Sequence, residues 1–217
     1  MVTLLLANSL KKQFYILIIS LISTFAFGQT EKESFWNPYI ESDRIEIGLK
    51  HYDSLNFEKA YRIWTDYQVV ELIKITDSTY NGTLTNFVTE NKRKNKSEII
   101  YQKIKIPNRI VEKLINSLNA ENIETLKDCA EIENYPKGFD GKTYVFEIGN
   151  GKTRRVYSYW EPENERYQDP EMSEIKNVRN ILKSINNEFN LWKYFKDFRD
   201  RLPKGSYSYG MINMIKT

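Results

Sequence analysis

The 217-residue chain predicts an α+β fold, an antiparallel sheet of about six strands with amphipathic helices packed on one face. Three observations carry that expectation. Segments rich in β-branched and aromatic residues succeed one another between 61 and 106 with only short polar turns between them. A further pair of such segments, within 140–162, flanks Asn150-Gly151, a dipeptide suited to a two-residue turn in which both central residues need positive φ. Two other stretches repeat apolar residues at helical spacing. Strands and helices come in blocks and do not alternate strictly, which argues against a parallel sheet.

The first element is not part of that sheet. Lys11-Lys12 precede an apolar run over 14–27, and Ala26-Phe27-Gly28 puts small residues where a cleavage site requires them, so residues 1–28 read as a secretory signal peptide. The run holds 14 residues, short of the roughly 20 that cross a bilayer, so no stable membrane span is expected after cleavage. The remaining 189 residues suit one domain with its own core. Residues 1–28 contain two of the 32 basic side chains and none of the 29 acidic ones, so the remainder balances 30 against 29, a net charge near +1. That removes a sequence-wide electrostatic case for nucleic acid, and no such partner is expected. Cys129 is the single cysteine, so an intrachain disulfide is excluded by count.

Residues 29–58 are polar with scattered aromatics, among them Phe35, Trp36 and Tyr39, and read as a loosely ordered lead-in with one short helix near 44–51. The domain proper is expected over 59–190. Strands are predicted over 61–64, 68–76, 80–90 and 97–106 as a meander, with the basic loop 91–96 at a solvated hairpin tip. Pro107 opens a helix whose stripe is Ile110, Val111, Leu114, Ile115 and Leu118. Residues 119–138 carry no regular pattern. In the hairpin, a turn at Asn150-Gly151 sets Ile148 opposite Thr153, Glu147 opposite Arg154 and Tyr144 opposite Tyr157. It buries the face of Tyr144, Phe146 and Ile148, and leaves Glu147 and Arg154 as a surface pair. Asp169-Pro170-Glu171 starts a helix with a seam of Ile175, Val178, Leu182, Ile185 and Phe189. Leu191, Phe195, Phe198 and Leu202 mark a C-terminal helix in 191–217, and the tail after Gly205 shows no clear pattern.

The common chemical motifs are missing: no Gly-rich phosphate loop, no dinucleotide fingerprint, no Gly-x-Ser-x-Gly, no His-Glu-x-x-His and no calcium loop. His51 is the single histidine, so a histidine-based triad or metal set has one residue to draw on. Neither a cofactor nor a metal is expected.

Two constellations remain. Arg155, Tyr157, Tyr159 and Trp160 combine the residue types that dominate binding hot spots and stack on sugars; their ordinary alternative is sheet core. Asp128, Glu131, Glu133 and Asp140 gather carboxylates near Tyr135, and two of them would divide acid and base roles if burial separated their pKa values; their ordinary alternative is a solvated loop.

Asp140-Gly141, Tyr144, Glu147, Gly151 and Trp160-Glu161-Pro162, with Arg62-Ile63-Trp64 upstream, resemble a pattern in a loosely defined group of small exported bacterial α+β proteins of unknown function. The resemblance covers about 61–185 and implies a fold and no activity. Where that group carries a Tyr-His pair on the return strand this chain has Arg154-Arg155, so no role for that histidine transfers. The expectation is an exported protein, periplasmic or secreted, that acts as a non-enzymatic binding module for a protein or glycan of the cell envelope. The alternative is an envelope hydrolase built on the carboxylates of 128–140.

Overall fold

The computed structural model describes residues 34–217 apart from 93–95, 137, 139 and 152. The signal peptide expected over 1–28 lies outside the described residues, as does the centre of the basic loop at 91–96. Helix α1 spans Asn37–Glu46 and is followed by a 3-10 turn, Tyr52–Ser54. Strands β1 (Lys59–Trp64), β2 (Gln68–Thr76), β3 (Thr79–Lys92) and β4 (Lys96–Lys105) form the expected meander. Helix α2 (Asn108–Ala120) and a 3-10 turn (Cys129–Glu131) lead to the hairpin β5 (Thr143–Asn150) and β6 (Thr153–Trp160). Helices α3 (Ser173–Glu188) and α4 (Leu191–Asp200) precede β7 (Gly205–Tyr209) and β8 (Ile212–Lys216).

All pairings are antiparallel, in the order β6-β5-β1-β2-β3-β7-β8, with β4 on the other side of β3. The fold is α+β as the sequence predicts, with eight strands in place of about six. The two extra strands come from the tail, where Ser206, Ser208 and Tyr207, Tyr209 alternate between faces. Long β3 makes room for them, since β2 pairs with its first half and β7 with Thr89 and Glu90 beyond.

One face is the main core. Tyr61, Ile63, Val70, Leu72, Leu84, Phe146, Ile148, Tyr157 and Tyr159 meet the apolar stripes of α2 and α3. Helix α4 continues that layer over β3 and β7, with Phe195 and Phe198 against Val88 and Tyr207. The face of Tyr144, Phe146 and Ile148 is the buried one, as the period-two pattern indicates. The register differs from the expected one. Asn150 pairs with Thr153, so the turn begins at Gly151 and moves along by one residue. Glu147 therefore stands opposite Val156, and Tyr144 opposite Tyr159. Moving the turn by one residue changes each partner by two positions, and with a side-chain period of two the faces survive.

The other face differs from expectation more sharply. Residues 34–57, read from composition as a loosely ordered lead-in, form a strap across it. Ile40, Ile47 and Leu49 pack on Trp64, Val69, Phe87 and Val145, while Tyr52 and Phe57 pack on Ala60 and Ile73. Ile47 is fully buried. The helix in this region starts seven residues before the expected 44–51, because Pro38 sits in its first turn, where a missing N-H costs no hydrogen bond. Gly149 provides the seat: a Cβ there would lie 2.9 Å from ring atoms of both Tyr52 and Phe57. This glycine, part of a Gly-Asn-Gly that reads as turn, is a strand residue whose bare backbone admits two rings.

Beneath the strap lies a row of buried charge. Arg62 on β1 is paired in register with Glu71 on β2 and Glu147 on β5. Its Nε is 3.4 Å from Glu71 Oε2, and its Nη1 is 3.4 Å from Glu147 Oε1. Arg154 Nε donates to Glu147 Oε1 at 2.9 Å, and Trp64 Nε1 to Glu147 Oε2 at 3.2 Å. The strap closes the row, since Arg62 Nη2 donates to Lys50 O at 2.5 Å and Tyr52 lies 4.2 Å over the guanidinium. Two arginines and two glutamates cancel, which is the condition for holding charge away from water. Burial pulls the Arg62 pKa down, but Tyr52 and the two glutamates outweigh it, and the net direction is upward. No helix among the described residues is long and apolar enough to cross a membrane.

Candidate functional site

The two tyrosines of the hairpin's aromatic and basic group are not on the surface. Tyr157 and Tyr159 are fully buried, and their hydroxyls donate to Ile123 O and Lys127 O, each at 2.6 Å. Arg155 Nη1 donates to Glu124 O at 3.1 Å and Nη2 to Leu126 O. Trp160 is half-buried, and its Nε1 donates to Asp140 O at 2.9 Å. Together the first three tie the irregular segment 123–127 to the hairpin; Tyr157 and Tyr159 take the ordinary alternative of sheet core, while Arg155 and Trp160 stay half-buried. The sequence misleads here because period two says which residues share a face and not what covers that face.

The expected carboxylate group also disperses. Asp128 caps the 3-10 turn, accepting from Ala130 N at 2.7 Å, and its other oxygen accepts from Ser158 N at 3.1 Å. Glu131, Glu133 and Asp140 are exposed. Among the described residues of that segment, none of the four carboxylates is buried, the setting that would divide acid and base roles. Among the described residues, no three His, Cys, Asp or Glu come together as a metal set.

A different pair of carboxylates is brought together at one end of the sheet. On α1, Trp36, Tyr39, Ile40 and Asp43 follow helical spacing and form one stripe facing the sheet's end. Asp66 lies in the turn between β1 and β2, which Thr65 fixes by accepting from Gln68 N at 3.0 Å. The turn between β7 and β8 closes on it from the far side: a Cβ on Gly210 would lie 2.9 Å from Asp66 Oδ2. Asp43 and Asp66 both line two adjoining clefts. The larger, about 110 Å³, is walled by Phe87, Thr89, Ser208 and Gly210. The smaller, about 70 Å³, is walled by Trp36, Tyr39, Trp64 and Val145. Outside it, Phe35 packs on Trp36 and Tyr39 at 5.5 and 5.4 Å between ring centroids, and Phe35 and Tyr39 are exposed.

Among the described residues neither carboxylate side chain accepts a hydrogen bond or enters an ion pair. The Asp43 carboxyl is pushed up to about 6 by loss of water, with the charge of Glu46 adding to the effect. Asp66 is exposed overall; the part of it withdrawn from water raises its carboxyl, and the charge of Lys142 opposes the rise. Lys142 is itself lowered by burial, against the pull of Glu163, Asp66 and Glu161. Such under-compensated carboxylates favour a cation, which would supply the missing counter-charge, and aromatic faces around them add cation–π attraction. The clefts are well below the roughly 300 Å³ at which pockets for small metabolites begin, so they suit a side-chain-sized group. Neither residue stands out in the sequence: Asp43 is one acid among several in a polar helix, and Asp66 is an ordinary turn residue.

No protein-family model matches this chain, and no curated protein is significantly similar to it. The fold defines an α+β domain with both sheet faces covered; the functional reading rests on the cleft.

Proposed function

We propose that this protein is an exported, non-enzymatic binding module, periplasmic or secreted, whose cleft at Asp43 and Asp66 holds a cationic side chain of an envelope protein. The observation that carries the reading is that both carboxylates line the same two small clefts without a hydrogen-bonded or ion-paired cation of their own among the described residues. The aromatic rim of Phe35, Trp36 and Tyr39 supports it, since such rings prefer ammonium or guanidinium groups on their faces. Export is supported by the composition of residues 1–28 alone. The test is a chemical-shift titration with N-acetyl-lysine amide and N-acetyl-arginine amide, compared with Asp43→Asn and Asp66→Asn. Shifts confined to the α1 stripe and the β1–β2 turn, lost in both variants, support the reading. Unchanged spectra at millimolar probe would end it.

One observation favours a second reading, a hydrolase in which Asp43 supplies a proton. Its carboxyl titrates near 6, where a general acid or base works best. The two readings part on Asp43→Asn, which abolishes turnover in the second.

A further inference from the structure

Three strands of the sheet have one edge unpaired by another strand among the described residues, and the chain treats those edges differently. That of β6 is covered by the segment before the hairpin, which Asp128 fastens through Ser158 N and Arg155 through the carbonyls of Glu124 and Leu126. That of β4 is blunted by Lys96, Glu98, Lys103 and Lys105. β8 has neither device. Met211, Ile212 and Ile215 are 65, 51 and 79 % exposed, and the one charged side chain in the strand, Lys216, is drawn back to donate to Arg199 O and Asp200 O at the end of α4.

The hairpin geometry shows which backbone groups this edge presents. β7 and β8 are joined by Gly210 and Met211, with Gly210 at φ +53°, and Tyr209 pairs with Ile212. The pair that closes a two-residue hairpin is hydrogen-bonded, and such pairs alternate along an antiparallel ladder. Ile212, Met214 and Lys216 therefore bond to β7, and the N-H and C=O groups of Asn213 and Ile215 point outward.

We infer that the outer edge of β8 pairs with β8 of a second copy, antiparallel, about a two-fold axis at Met214. In that register Asn213 of each copy stands opposite Ile215 of the other, so every outward N-H of the two residues meets an outward C=O. Lys216 falls opposite Ile212, and no like charges meet. The exposed Ile212 and Ile215 side chains lose water in the same step. A strand of other sequence would satisfy the backbone equally well, but β8 is complementary to itself in both register and charge, and an isologous contact closes after two copies.

Sedimentation of the purified full chain tests this. A concentration-dependent dimer is expected. Asn213→Pro deletes an outward N-H that β7 does not use, and weakens the dimer about tenfold or more while the melting temperature of the monomer is retained. Ile215→Lys places charge on the edge and acts in the same direction. Met214→Cys gives a disulfide-linked dimer on mild oxidation, because position 214 meets itself at the axis as a close, non-hydrogen-bonded pair. A monomer at every concentration overturns the inference. So does a dimer that Asn213→Pro and Ile215→Lys both leave intact, or one that Met214→Cys fails to trap.

Discussion

Arg62 and Glu147, 85 residues apart in sequence, face each other across β1 and β5 at 3.4 Å with neither side chain appreciably exposed. Each also holds a second charge, Glu71 for Arg62 and Arg154 for Glu147. Removing one member leaves an uncompensated buried charge. Glu147→Leu is expected to cost about 3 to 5 kcal/mol in urea unfolding, and Arg62→Leu a similar amount. The double variant should cost less than the sum, since the net charge of the row returns to zero, although Glu71 and Arg154 each stay behind without that partner. Additive losses would show that the pair is not coupled.

The strap gives a second prediction. Ile47 is fully buried against the sheet face that also holds Trp64 and Phe87. Ile47→Ala should cost about 2 to 5 kcal/mol. Limited proteolysis of the variant should cut within 34–57 first, with the meander and hairpin intact. Equal protection of the whole domain would mean that the strap and sheet unfold as one.

Asp43 makes stability depend on pH with a defined sign. Its carboxyl titrates near 6 in the folded chain against an ordinary 3.8, so the folded state binds the proton more tightly than the unfolded one. Its contribution is fully present below about pH 3.8 and is lost as pH rises through 6. At this half-buried site the loss should be on the order of 1 to 2 kcal/mol after solvent screening. Asp43→Asn should flatten the profile in that window, which chemical denaturation from pH 4 to 7 would show. A slope unchanged in the variant would assign it to another group.

Tyr157→Phe and Tyr159→Phe each leave a carbonyl without its donor, Ile123 O or Lys127 O, and should each cost about 1 to 2 kcal/mol. Neither should alter shifts caused by the cationic probes at Asp43. Loss of probe binding with unchanged stability would return the hairpin to consideration as a surface.

The meander, the hairpin and the apolar stripes of α2 and α3 were legible because each is a local pattern: runs of β-forming residues between polar turns in 61–106, period two in 144–148, period 3.6 in 110–118. The roles of Arg154 and Glu147 were not. A Glu and an Arg near a turn look like a solvated pair until one sees that residues 47–57 lie over them. Likewise Tyr157 and Tyr159 show the correct face in sequence, but only the fold reveals that Ile123 and Lys127 lie against their hydroxyls. The cleft was the least legible feature, because Asp43 and Asp66 meet through two turns and a helix that no local pattern connects. The β7–β8 hairpin was not legible either: four residues of Ser and Tyr are too short a run to mark a strand, and Gly210-Met211 is a weaker turn sequence than Asn-Gly.

The seat at Gly149 bears on the order of events during folding. Tyr52 donates to Glu147 O from 95 residues away, and its ring rests beside Phe57 on a strand that leaves the ribosome long after the strap does. Contacts of such separation carry a large loop-closure cost and form once nearer ones have shortened the loop. The seating of Tyr52 and Phe57 on β5 is thus a late contact, and until β5 has joined β1 the charges of Arg62 and Glu147 are not opposed across the sheet and keep their water, where they cost nothing.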